Sequence, residues 1–246
     1  MTTDSTGPDA PPPVPPAAKP NGLATYLGIL FSPGESFATL ARTPMWGWAA
    51  IVGLICMVVA TIVQLPEIAK VSQVQFAQQL SQMPADRQAA ATATMASVSH
   101  AVPVFAAIGS LVVPWIIWLV AAVVFLIAGA ATKSSTKFTD AWVLAVNSFV
   151  VVALTAIINA IIVAMRGPDA ITRASDAYAI PSLGLIAQSQ PKLFAFLYAF
   201  NPLALWYYVV AAIGLQIVMR MKPGAAWITA VIYALLGAAI AAAFAR

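Results

Sequence analysis

The stretch V-F-A-A-I-G-S-L-V-V-P-W-I-I-W-L-V-A-A-V-V-F-L-I-A-G-A-A, residues 104–131, contains no ionisable side chain. At about 1.5 Å per helical residue it is long enough to cross a hydrocarbon layer of roughly 30 Å. In lipid every backbone N–H and C=O must find a partner within the protein, which leaves helices and closed barrels as the only spanning structures. The run lacks the period-2 alternation of a barrel strand, so it is predicted to be a helix, with Pro114 expected to kink it. Four more apolar runs follow the same logic, at 46–66, 141–165, 202–219 and 225–245. The predicted fold is all-α: a polytopic membrane bundle of five transmembrane helices.

Composition supports this reading. Of 246 residues 61% are hydrophobic and 8% charged, with 12 basic and 8 acidic side chains. An ordinary soluble domain carries about a quarter charged residues, and so few charges could not cover the outside of a soluble fold this long.

Residues 1–22 are Pro-rich with little to bury, and read as a disordered or polyproline-like tail without a signal-peptide pattern. The membrane domain is predicted over 23–245. Its first element is a short helix at 32–43. Ser32 is a candidate N-cap, Pro33 suits the first helical position, and Glu35 stands at capping-box spacing. Phe37 and Leu40 share one face, Arg42 lies elsewhere, and Pro44 ends the helix. Trp46 and Trp48 follow, a residue type that favours the headgroup level. The helix is expected either to lie at the membrane interface on its apolar face or to pack under the bundle as a structural foot.

Two extramembrane loops are long. Residues 67–103 have helical potential on both sides of Met83-Pro84 and resemble a helical hairpin, whereas 166–201 mix turn residues with the near-membrane segment K-L-F-A-F-L-Y-A-F. The basic residues divide equally between the two sides of the bilayer. Lys133, Lys137, Arg220 and Lys222 are concentrated in the two short loops, while Lys70, Arg87, Arg166, Arg173 and Lys192 are spread through the long ones. Short basic loops stay in the cytoplasm, which predicts a cytoplasmic N-terminus and an external C-terminus in a cell membrane, the inner membrane if the host is a bacterium.

Catalytic patterns are missing from the sequence. One His, His100, and one Cys, Cys56, cannot make a Cys/His zinc site, and neither H-E-x-x-H nor G-x-S-x-G occurs. No catalytic residue, metal, cofactor or nucleic-acid partner is expected. The expected partners are the lipid bilayer and other membrane proteins or a second copy of the chain.

No ionised group lies inside a predicted span. Neutral polar residues remain, and Asn147, Thr155 and Asn159 fall along one stripe of the third. They line a small cavity or, the reading favoured here, hydrogen-bond between helices. In the last span Ala226, Ala230, Ala234, Ala238 and Ala242 recur every four residues, a small-residue face for close helix packing.

Several segments in order, S-P-G-E-S-F-A-T-L before the first span, K-F-T-D-A-W-V-L-A-V-N-S-F leading the third, and F-N-P-L-A-L-W-Y-Y-V-V-A-A-I-G-L with K-P-G-A-A-W into the fifth, resemble the prokaryotic branch of the Yip1-domain family. The resemblance covers residues 23–244 and implies a five-span helical membrane protein with a cytoplasmic N-terminus. Eukaryotic relatives bind Rab-type GTPases, but the D-L-Y-G-P-like segment of that branch is missing, so GTPase binding does not carry over. The resemblance suggests a non-enzymatic membrane-organising scaffold or adaptor. The alternative is a small permease or channel for a neutral or weakly polar solute, using the polar stripe.

Overall fold

The computed structural model describes residues 20–245, and among them every regular element is helical. The expected tail at 1–19 lies outside the described residues, as does the side chain of His100. Eleven α-helices follow in order: α1 Gly22–Gly28, α2 Pro33–Arg42, α3 Gly47–Val63, α4 Leu65–Ser81, α5 Ala85–Val98, α6 Val102–Ala131, α7 Phe138–Ser148, α8 Val150–Arg166, α9 Pro191–Tyr198, α10 Pro202–Ile217 and α11 Pro223–Phe244.

Three helical stretches are long and apolar enough to cross a membrane: α6, the α7–α8 pair taken as one 29-residue run, and α11. Two bent pairs bring the count up to five when each pair is taken as one span. The α3 axis turns by 64° into α4, and the α9 axis by 49° into α10. Pro66 and Pro202 sit in the first turns of α4 and α10, where a missing N–H costs nothing. Pro114 does not interrupt α6, which runs as one 30-residue helix through it. The molecule is a multi-pass membrane protein whose exposed leucine, isoleucine, valine and tryptophan side chains on α6 and α11 contact the bilayer.

The centre of the bundle is α7. Ala141 and every residue from Val143 to Ser148 are buried, with α6 and α10 packed against the helix. Gly214 on α10 permits this contact, because a methyl group there would overlap Leu144 Cδ1 and lie 3.0 Å from Phe37 Cζ. Aromatic rings fill the adjoining space. Trp118 is fully buried, its ring edge-on to Phe149 at 5.4 Å and to Trp115 at 5.1 Å.

The N-terminal boundary differs from expectation. Asn21 and Gly22, assigned to the tail by composition, belong to the fold: the Asn21 side chain accepts the N–H groups of Leu23 and Ala24 and opens α1. Tyr26 and Ile29 are then buried against the bundle.

The capping box at Ser32 does not form. Ser32 has φ −137° and ψ 63°, and its side chain makes no cap hydrogen bond. Its N–H instead donates to the Gly28 carbonyl at 2.7 Å, so the residue closes the turn after α1 and is not free to adopt cap geometry. Pro33 opens α2 as expected, and Glu35 in the first turn faces solvent.

Beyond the α3 bend, α4 and α5 are two helices separated by a break at residues 82–84, with α4 resting on the turns 168–170 and 174–177. The two short loops meet each other. The Ser135 N–H donates to the Met219 carbonyl at 3.0 Å, which ties the turn carrying Lys133 and Lys137 to the one carrying Arg220 and Lys222. Lys133 and Arg220 both adopt left-handed backbone, φ 53° and 57°. At Lys133 this closes a Schellman cap on α6, with the Ser134 N–H on the Gly129 carbonyl and the Lys133 N–H on that of Ala130.

Candidate functional site: the polar groups inside the bundle

The third span carries the candidate polar residues, and the fold sends each to a different neighbour. Asn147, 2% exposed on α7, donates through Nδ2 to the Met45 carbonyl at 2.8 Å and to the Val143 carbonyl at 2.9 Å. Met45 belongs to the link between α2 and α3, outside both helices. A buried amide supplies its carbonyl with a donor, as the low-dielectric interior requires.

Asn159, three turns further on, is shared among three elements. Its Nδ2 donates to Gln64 Oε1 and to the Ala177 carbonyl, both at 3.0 Å, and its Oδ1 accepts the Ala179 N–H at 2.8 Å. One side chain thus ties the α3–α4 bend to the loop following α8. Gln64 adds a bond from Nε2 to the Ala60 carbonyl at 3.1 Å. Thr155 bonds only backwards along its own helix, to the Val151 carbonyl at 2.7 Å.

These three residues do not share one lining. Thr155 borders a cavity of about 270 Å³ together with Asn201, Tyr198, Tyr207, Tyr208 and Tyr233, while Asn147 and Asn159 lie outside it. In the cavity wall Tyr207 Oη donates to Tyr233 Oη at 3.3 Å. Asn201 spends its Oδ1 on the Ala204 N–H and its Nδ2 on the Tyr198 carbonyl, capping α10 and closing the α9 bend.

The face of α2 expected at the membrane interface is spent inside the protein. Phe37 is 0% and Leu40 1% exposed, and α2 packs on α10 and α7. Arg42, Ser32 and Glu35 are on the exposed side. Of the two readings open for this helix, the Phe37/Leu40 face takes the foot packed under the bundle rather than the membrane interface: an amphipathic stripe looks the same whether lipid or protein covers it, and here Gly214 provides the groove. Trp46 and Trp48 remain exposed in part, Trp46 edge-on to Trp142 at 6.0 Å.

Of the alanine ladder, Ala226, Ala230, Ala234 and Ala238 are buried and Ala242 is half-buried near the end of α11. Ala230 and Ala234 also border an apolar cleft of about 220 Å³ against Phe200, Leu205 and Tyr208.

Sequence reasoning missed Tyr26, Glu67 and Asn201, all buried. Asn201 was legible as an N-cap preceding Pro202. Tyr26 lay beside a tail whose composition drew attention away, and nothing local distinguishes Glu67. In the loop after α8, Asp176 is held by the N–H groups of Thr172 and Arg173 at 2.8 Å each and by Thr172 Oγ1 at 2.9 Å. Partial burial alone would raise its pKa, but these bonds outweigh it and hold the carboxyl below the usual carboxylate range.

Among the described residues no three His, Cys, Asp or Glu side chains are grouped so as to hold a metal ion. The Yip1 domain family model matches residues 27–244. Comparison with curated proteins and with solved structures returns no match.

Proposed function

This chain belongs to the Yip1 domain family, and on that premise we propose that it is a non-enzymatic membrane-organising scaffold or adaptor. The observation that carries the reading is the disposition of Asn147 and Asn159. Both amides are consumed in tying separate segments to the third span, and neither borders the cavity beside Thr155. Polar groups that are saturated by the protein have little left to offer a passing solute. They lock a rigid bundle, from which the largely exposed α5 and the exposed face of α4 offer a contact surface for other membrane proteins or a second copy. In this reading the N-terminus is cytoplasmic and the C-terminus external in a cell membrane, supported by the four basic residues carried on the joined short loops.

The alternative, a permease for a neutral or weakly polar solute, draws on the cavity of about 270 Å³ lined by Thr155 and four tyrosines. Reconstitution into liposomes separates the two. The scaffold reading expects no solute-specific flux from the wild type, and loss of stability in Asn159→Leu. Flux that is present in the wild type and abolished by Asn159→Leu or Thr155→Val overturns it. For orientation, a C-terminal reporter active only in the cytoplasm reverses the assignment.

A further inference from the structure

Among the described residues Glu67 is the one buried side chain that carries a formal charge. It is 4% exposed, in the first turn of α4 just past the 64° bend, and its Oε2 has no hydrogen-bond partner. A buried carboxylate without a partner is costly, because it loses its hydration and gains nothing in return. Ser175 Oγ, on the 174–177 turn that packs against α4, is likewise buried without a partner. The two elements are held in register by the Asn159 amide, which bonds Gln64, one turn before Glu67, and Ala177, two residues after Ser175.

We propose that Glu67 and Ser175 contribute oxygen ligands to a binding site for a small monovalent cation at the junction of the α3–α4 bend and the loop after α8. The ligand chemistry favours a hard cation, which is bound through carboxylate, hydroxyl and carbonyl oxygens. One carboxylate balances one positive charge. A transition-metal site has no support, since the described residues group no three metal-ligating His, Cys, Asp or Glu side chains. Such an ion supplies the missing counter-charge for Glu67 and joins the extramembrane loop to the bend. The inference is independent of the scaffold reading, because a structural ion serves a scaffold and a permease alike.

The test uses the full chain in lipid nanodiscs, with Na⁺ as the probe exchanged for N-methylglucamine at constant ionic strength. The wild type is expected to show a saturable rise in melting temperature with Na⁺. That rise should be lost in Glu67→Gln and reduced in Ser175→Ala. Glu67→Gln, which removes the buried charge at nearly constant shape, is expected to melt at or above the Na⁺-free wild type, so its lack of response is separable from misfolding. Retention of radioactive sodium by the wild type and not by Glu67→Gln is the direct measurement. Equal Na⁺ responses in wild type and Glu67→Gln, no response in the wild type, or a wild-type stability that follows pH and ignores Na⁺ each overturn the proposal.

Discussion

Asn147 Nδ2 lies 2.8 Å from the carbonyl oxygen of Met45, a residue 102 positions earlier in the chain. Through this bond the centre of the third span holds the segment that leads into the first. Interhelical hydrogen bonds in membrane proteins contribute about 0.6 kcal/mol on average and up to about 1.7. The buried setting of Asn147 places it toward the upper end. Asn147→Leu is expected to destabilise the bundle by about 1 to 2 kcal/mol, and to speed tryptic cleavage after the exposed Arg42. Unchanged melting and unchanged cleavage would refute the link.

Gly214 tests the packing of the N-terminal helices on α10. Because a methyl group there overlaps Leu144 Cδ1, Gly214→Ala is expected to cost about 1 to 3 kcal/mol, the range for overpacking a filled core. Leu144→Ala in the same chain should relieve part of that cost, so the double variant is more stable than the sum of the single changes predicts. Strict additivity by thermal melting would show that the two residues do not meet.

Phe37 and Phe31 separate the two fates of the N-terminal region. Phe37 is fully buried and Phe31 is 86% exposed. Phe37→Ala should cost about 3 to 5 kcal/mol as a large core truncation. A spin label at position 31 should be reachable by relaxation agents, whereas one at position 37 is shielded or unfolds the protein. Equal accessibility at both positions in a folded sample would contradict the burial of α2.

Asp176 gives the loop after α8 a pH dependence with a definite sign. Its folded pKa is lowered, so its contribution is complete above the ordinary carboxylate pKa of about 3.9 and is lost as pH falls through the folded value. Asp176→Ala should therefore reduce amide-exchange protection at Thr172 and Arg173 at neutral pH. The difference from wild type should vanish in strong acid. A difference that persists below the carboxylate range would point to some other cause.

The architecture was legible because lipid leaves the backbone few choices. The uncharged run at 104–131 could only be a helix, and the apolar run starting at Pro202 coincides with the start of α10, although the Asn201 cap in front of it was missed. Ser32 stands at the N-cap of α2 but forms no capping box, for a reason that local spacing does not carry: the turn after α1 already claims its N–H. The stripe of Phe37 and Leu40 encodes that something apolar covers it and not what does. The partners of Asn147 and Asn159 lie on remote segments, and no period in the sequence points to Met45 or Ala177.

The seat of α2 also sets an order on biogenesis. Phe37 finds its place only against α10, whose Gly214 is made far later, and Met45 waits for Asn147. At about 5 to 20 residues per second the ribosome needs roughly 5 to 20 s to cover the distance from Met45 to Asn147 alone. Until then the apolar side of α2 has only the nascent bilayer surface or a chaperone to rest on. A chain halted before residue 200 should leave a Cys placed at position 37 open to a thiol reagent, and release of the full-length chain should close it.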